Sequence, residues 1–200
     1  IGLPLLTLGS ESLVNKNISA VQYLKHHKHL NSMFIESIKK REVDAINACD
    51  IILPNSLILQ NVLHKMYPEY TSKIYNYIDY TYFTVKNNFN LTKKINKKEY
   101  DIIIISSSWN RKVKNGNLAS SILSSDILNK YKKIVIGNDY SMFENINNCD
   151  CLGLLKNNEV LNYLSKSKLL IIPSLFDANP NVLREALINK CNVLLSKNVG

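Results

Sequence analysis

Ile171-Ile-Pro-Ser-Leu-Phe-Asp-Ala-Asn-Pro-Asn-Val-Leu-Arg-Glu-Ala-Leu187 holds the end of a strand, a loop and the start of a helix. The apolar run Leu169-Leu-Ile-Ile-Pro173 has the length of a buried strand and stops at a proline. A short loop carrying Asp177 follows, and Asn179-Pro180-Asn181 supplies cap-type residues and an early proline for a helix that begins there. In an open α/β fold such a helix aims exposed backbone N–H groups and the positive end of its dipole out of the carboxyl edge of a parallel sheet. An anion, a diphosphate above all, is stabilised at that edge. Glu185 stands about one turn further into the helix, within reach of a ribose diol, and Asp177 on the loop can accept from sugar hydroxyls. Spacing alone leaves a second reading open, in which Asp177 is a turn residue and Glu185 an ordinary solvated helix position.

Outward from this segment, short runs rich in isoleucine, leucine and valine alternate with longer segments of helical period, the pattern of stacked βα units around a parallel sheet. The fold class is therefore α/β. Strands are expected near Leu3 to Leu8, Asp50 to Pro54, Lys73 to Tyr77, Asp101 to Ser106, Lys133 to Gly137, Cys149 to Leu152, Lys168 to Pro173 and Asn192 to Ser196. Helices are expected over Asn31 to Ala48, Ser56 to Tyr67, Asn117 to Lys130, Asn158 to Ser167 and Asn181 to Asn189. Phe83 to Lys98 is polar, basic and without period, and reads as a linker. The chain opens inside an apparent strand, Leu3-Pro-Leu-Leu-Thr-Leu8, and stops just after another, Val193-Leu-Leu-Ser196, so a fragment of a larger two-domain protein is expected.

The 200 residues, 46% of them hydrophobic, suffice for a packed core and exclude a disordered tail or a disulfide miniprotein. The longest apolar runs fall far below the ~18 residues of a membrane span. Lys+Arg of 25 against Asp+Glu of 16 leaves +9, and only Arg41, Arg111 and Arg184 are arginines. A lysine-coated solvated surface accounts for that charge better than a nucleic-acid footprint, because the aromatics are mostly scattered tyrosines that build no stacking platform. Cys49, Cys149, Cys151 and Cys191 form no C-x-x-C pair, which points to a reducing compartment. Cys149 and Cys151 alternate along an apparent strand and read as small core hydrophobes. His26, His27 and His29 sit among lysines on a solvated helix face without a fourth ligand for a metal. Neither a G-x-G-x-x-G nor a G-x-x-x-x-G-K-[ST] loop is present.

Pro173-Ser174 followed by Asp177-x7-Glu185-Ala186 resembles the Glu-x7-Glu signature of the retaining GT-B glycosyltransferases, specifically family four (glycosyl transferases group 1). The resemblance runs in register over most of the chain. Asp50-Ile-Ile-Leu-Pro-Asn-Ser56 is similar to the strand-serine segment late in the family's first domain, and Ile74-Tyr-Asn-Tyr-Ile-Asp-Tyr-Thr-Tyr-Phe83 to the segment that closes it. Ile102 to Lys114 resembles the strand and basic loop opening the second domain; Ile134-Val-Ile-Gly137 and Gly153-Leu-Leu-Lys156 resemble its next strand ends. There are departures. Asp177 replaces the first glutamate, Asn179-Pro180 stands for a phenylalanine-glycine pair, Tyr77 replaces a turn glycine, and Gly9-Ser10-Glu11 stands where relatives often place a histidine.

The resemblance implies two Rossmann-like domains present in part: residues 1–84 as the end of the acceptor-side domain, 85–98 as linker, and 99–200 as the start of the donor-side domain. It implies transfer of a sugar from a nucleotide-diphosphate sugar to a glycan, lipid or protein acceptor, with retention of configuration. Arg111 and Lys114 would hold the diphosphate together with the backbone near Asn179, Asn181 and Val182; Glu185 would hold the ribose, Asp177 the transferred sugar, and the backbone at Leu155 and Lys156 the base. The physics agrees for the cations: Arg111 offers phosphate a bidentate fork and Lys114 a point charge on the same loop. No cofactor and no metal are expected, and the chain contains no Asp-x-Asp motif of the metal-dependent GT-A type. No nucleic-acid partner is expected. The location implied is cytoplasmic, with peripheral membrane contact through the basic surface left open. A catalytically degenerate domain that binds a glycan or nucleotide remains the rival, kept by the Asp177 substitution.

Overall fold

The structure, a computed structural model, describes residues 40–41, 43–79, 84–86, 97–197 and 199. The chain divides into two compact units, Ile1–Tyr80 and Thr81–Gly200. The expected strand at Leu3 to Leu8, the histidine cluster, Gly9 to Glu11, the first part of the helix at Asn31 to Ala48 and most of the linker at 85–98 lie outside the described residues.

In the first unit, residues 43–47 are helical and α1 spans Leu57–Met66. Ser56 starts α1 because its hydroxyl accepts the Leu59 N–H at 3.2 Å, a donor the first turn otherwise leaves orphaned. The two strands expected over Asp50 to Pro54 and Lys73 to Tyr77 reduce to one parallel bridge, Ile52 to Ile74. Local sequence explains the difference. Pro54 has no N–H for a ladder, and Pro68–Lys73 is wound into a 3-10 turn that leads directly into the extended Ile74. Lys73 then folds back and donates to the Ile46 and Asn47 carbonyls at 3.3 and 3.2 Å, capping the helical end there.

The second unit is built on a five-stranded, wholly parallel sheet. Its strands are β1 (Tyr100–Ser108), β2 (Lys133–Asn138), β3 (Cys149–Leu152), β4 (Ser167–Ile172) and β5 (Asn192–Leu195), in the order β3-β2-β1-β4-β5. The connecting helices are α2 (Gly116–Leu123), α3 (Asn157–Ser165) and α4 (Asn181–Ile188). The isoleucine runs are unbroken because alternate residues feed two cores. Ile103, Ile134, Ile136, Leu170 and Ile172 join Leu164 of α3 and Leu183 and Ala186 of α4 on one face. Ile102, Ile104, Val135 and Ile171 join Ala119 and Leu123 of α2, Trp109 and Phe143 on the other. Cys149 and Cys151 pack together against this second cluster, as small core residues. The helix expected over Asn117 to Lys130 ends early at Leu123, and Asp126–Leu128 forms a separate 3-10 turn.

Lys133 is fully buried at the start of β2, which its charge does not announce. Its ammonium donates to the Leu128 and Tyr131 carbonyls at 2.7 and 3.0 Å, satisfying the turn that precedes the strand. Burial lowers its pKa, as it lowers that of Lys98, whose ammonium donates to the Ser165 and Lys190 carbonyls. Burial acts oppositely on the acidic groups: the Cys149 thiol and the Tyr100 phenol are each pushed up to about 12, and the Cys191 thiol to about 11. Their contribution to stability is whole below about pH 9, where thiols are neutral folded or unfolded, and is lost as the pH climbs through 11 to 12. The two lysines work the other way, adding stability as the pH rises towards 10.5. Urea unfolding of the Cys149→Ala/Cys191→Ala variant is expected to show a shallower loss of stability above pH 9 than the native chain. Equal slopes would mean that the thiols are ionised freely in the folded state.

Candidate functional site

The strand order decides where a ligand can sit. From β1 the chain moves outward through β2 to β3, then returns across β1 and continues outward on the other side through β4 and β5. Connections therefore leave the carboxyl ends of β1 and β4 in opposite directions, and the rule for open α/β sheets places the candidate ligand crevice between them. The β1–α2 loop and the β4–α4 loop form its two walls, and these are the segments holding Arg111, Lys114, Asp177 and Asn179.

Each wall is held by identifiable contacts. β1 ends in a register shift between Ile105 and Ser108, where Ser106 Oγ donates to the Ser108 carbonyl at 2.9 Å and accepts the Ser108 N–H at 3.3 Å. Trp109 then anchors the loop: its indole N–H donates to the Ile136 carbonyl at 3.2 Å, and its ring meets Phe143 edge-on at 5.1 Å between centroids. Ser108 Oγ donates to Asp139 Oδ2 at 2.5 Å, joining the ends of β1 and β2. Arg111 precedes a single 3-10 turn, Lys112–Lys114, and is exposed. Asn115 follows with φ 55°, a left-handed conformation that asparagine tolerates, and starts α2.

The two walls are laced together. Leu175 N–H donates to the Val113 carbonyl at 2.8 Å, and Asn115 Nδ2 to the Pro173 carbonyl at 3.1 Å. Lys114 Nζ lies 2.6 Å from Asp177 Oδ2, with the two side chains 21% and 20% exposed. The expected diphosphate cation and the expected sugar acceptor are thus bonded to each other. Asp177 is further fixed by a parallel bridge to Val199.

α4 begins at Pro180 without a side-chain cap among the described residues. The cap-type asparagines are used otherwise: Asn179 Oδ1 and Asn181 Oδ1 both accept from the guanidinium of Arg184. Arg184 therefore reaches back over the first turn and adds a cation beside the helix amino terminus, a residue the sequence reading left out. The signal was its three-residue spacing from Asn181, which brings both to one helix face. Val182 is half-buried against the core, and Glu185 Oε1 accepts from Asn157 Nδ2 at 2.9 Å. Asn157, also absent from the sequence reading, opens α3 directly after Leu155 and Lys156, so this bond ties the expected ribose residue to the expected base loop. Lys156 N–H donates to the Glu159 carboxylate at 2.8 Å and is committed to starting α3. Arg111 shares the loop of Lys114 without joining its ion pair. Among the described residues no group of three or more His, Cys, Asp or Glu could hold a metal ion, and no helix is long and apolar enough to cross a membrane.

A doubly wound parallel sheet with a candidate ligand crevice at its switch point is the class that fold and site define. No family model and no curated protein matches the chain. Among solved structures it is similar to the crystal structure of WaaG, a glycosyltransferase involved in lipopolysaccharide biosynthesis, with a TM-score of 0.57 and 14% identity. The match covers 92% of this chain, which spans 55% of that one. The fold is thus α/β and corresponds to part of a GT-B architecture.

Proposed function

We propose that the chain is a glycosyltransferase of the retaining GT-B type that moves a sugar from a nucleotide-diphosphate sugar to a glycan, lipid or protein acceptor. The observation that carries the reading is the meeting of Lys114 and Asp177 across the switch-point crevice, beside the amino terminus of α4. Negative charge grows on the departing diphosphate as the glycosidic bond breaks. Lys114, Arg111 and the amides at Asn181 and Val182, oriented before the reaction, stabilise that charge more in the transition state than in the bound donor. Asp177 accepts from hydroxyls of the transferred sugar, Glu185 from the ribose, and the backbone near Leu155 and Lys156 meets the base. The chemistry needs no metal, because the protein cations and the helix amino terminus do the neutralising. The donor belongs to the cytoplasm, where the protein would work.

Glu185→Gln keeps the shape of the side chain and removes the charge that makes it a strong acceptor. It is expected to weaken nucleotide-sugar binding by about 1 to 3 kcal/mol and to leave the melting temperature almost unchanged. Calorimetric titration of the full-length protein with UDP- and GDP-sugars measures this. Unchanged affinity removes Glu185 from the site, and tight binding without any transfer supports a binding module in place of an enzyme.

A further inference from the structure

We propose that the Lys114–Asp177 pair discriminates between an intact diphosphate sugar and the bare diphosphate left after transfer; the inference rests on the function proposed above. The ammonium has three donors and no acceptor, and the carboxylate only acceptors, so at 2.6 Å each satisfies the other. Both are mostly buried and their loops are tied at Leu175–Val113 and Asn115–Pro173, so the two side chains are held facing each other. A diphosphate entering the crevice competes with Asp177 for Lys114 and is repelled by the same carboxylate. When the diphosphate carries a sugar, the sugar hydroxyls replace the ammonium as donors to Asp177, and both partners remain satisfied. The bare diphosphate brings no donor. Asp177 is then left facing an anion until it recaptures Lys114, which favours departure of the spent product. The pair thus sets a preference for donor over product that no single cation could supply.

Titration of the full-length protein with UDP, GDP, UDP-glucose and GDP-mannose tests this on the native chain, Asp177→Asn and Lys114→Ala. Asp177→Ser repeats the test with a side chain too short to reach Lys114. Both Asp177 variants are expected to bind the bare diphosphate about tenfold more tightly and the matching diphosphate sugar about tenfold more weakly, while Lys114→Ala weakens both. If the Asp177 variants bind bare diphosphate no better than the native chain and Lys114→Ala still weakens it, the discrimination is overturned and the phosphate site stands. If the native chain binds none of the four, the proposed function falls, and this inference with it.

Discussion

Gly137→Ala is expected to cost the folded chain about 4 kcal/mol or more, a large part of the stability of an ordinary domain, and to lower its soluble yield. Gly137 is the next-to-last residue of β2 and has φ 130°, a region closed to side chains of L-residues. An added Cβ would stand 1.8 Å from the Ser106 carbonyl oxygen, a backbone atom in the neighbouring strand β1. Relief would require β1 and β2 to part where the register shift of β1 already bends the strand, and where the Trp109 indole holds the Ile136 carbonyl. The Gly137 N–H bond to the Gly153 carbonyl at 3.2 Å would be drawn along with it. Soluble yield and denaturant midpoint measure the effect. A variant that melts within a few degrees of the native chain would show that the close approach is not held in solution.

Replacing both Arg111 and Lys114 by alanine is expected to lower sugar transfer by about a hundredfold or more, with about tenfold from Arg111→Ala and a larger share from Lys114→Ala. One charge-assisted bond that strengthens as the leaving group gains charge is worth upwards of ~1.4 kcal/mol of barrier. The fold should tolerate the change, since Arg111 is exposed and the walls of the crevice keep the backbone bond at Val113 and the side-chain bond of Asn115. The fall should appear in kcat more than in KM, because the gain is realised in the transition state. The unpaired carboxylate left by Lys114→Ala adds repulsion towards the diphosphate, so that single variant should lose more than Arg111→Ala. Transfer that survives the double substitution would move the phosphate site away from the β1–α2 loop.

The second unit was readable in the chain itself. β1, β2, β3, β4 and β5 all coincide, within a residue or two at each end, with apolar runs short enough for strands and unbroken enough for burial on both faces. The start of α4 was equally legible, since Asn179-Pro180-Asn181 is a local signal. Such features depend on residues a few positions apart, and their period survives whatever the rest of the chain does. In the first unit the same rule misled: Asp50 to Pro54 and Lys73 to Tyr77 have strand composition, yet a ladder needs partners and donors, and only Ile52 and Ile74 pair.

What the tertiary structure alone decided is which of the candidate groups meet. Strand order, and with it the switch point between β1 and β4, depends on which strand each crossover returns to, and no local pattern encodes that. The bond between Lys114 and Asp177 joins residues 63 positions apart, and that between Asn157 and Glu185 residues 28 apart. The sequence named Lys114, Asp177 and Glu185 as separate donors and acceptors for a ligand. The fold turned the first two into partners of each other and bound the third to Asn157 at the start of α3. Burial of Lys133 is the same lesson in charge. An ammonium is kept inside only where carbonyls converge on it, and here Leu128 and Tyr131 supply them. Composition and period thus determined the elements and the chemistry on offer, while long-range pairing determined which groups meet, because contact energies between distant residues exist only once the sheet has brought them together.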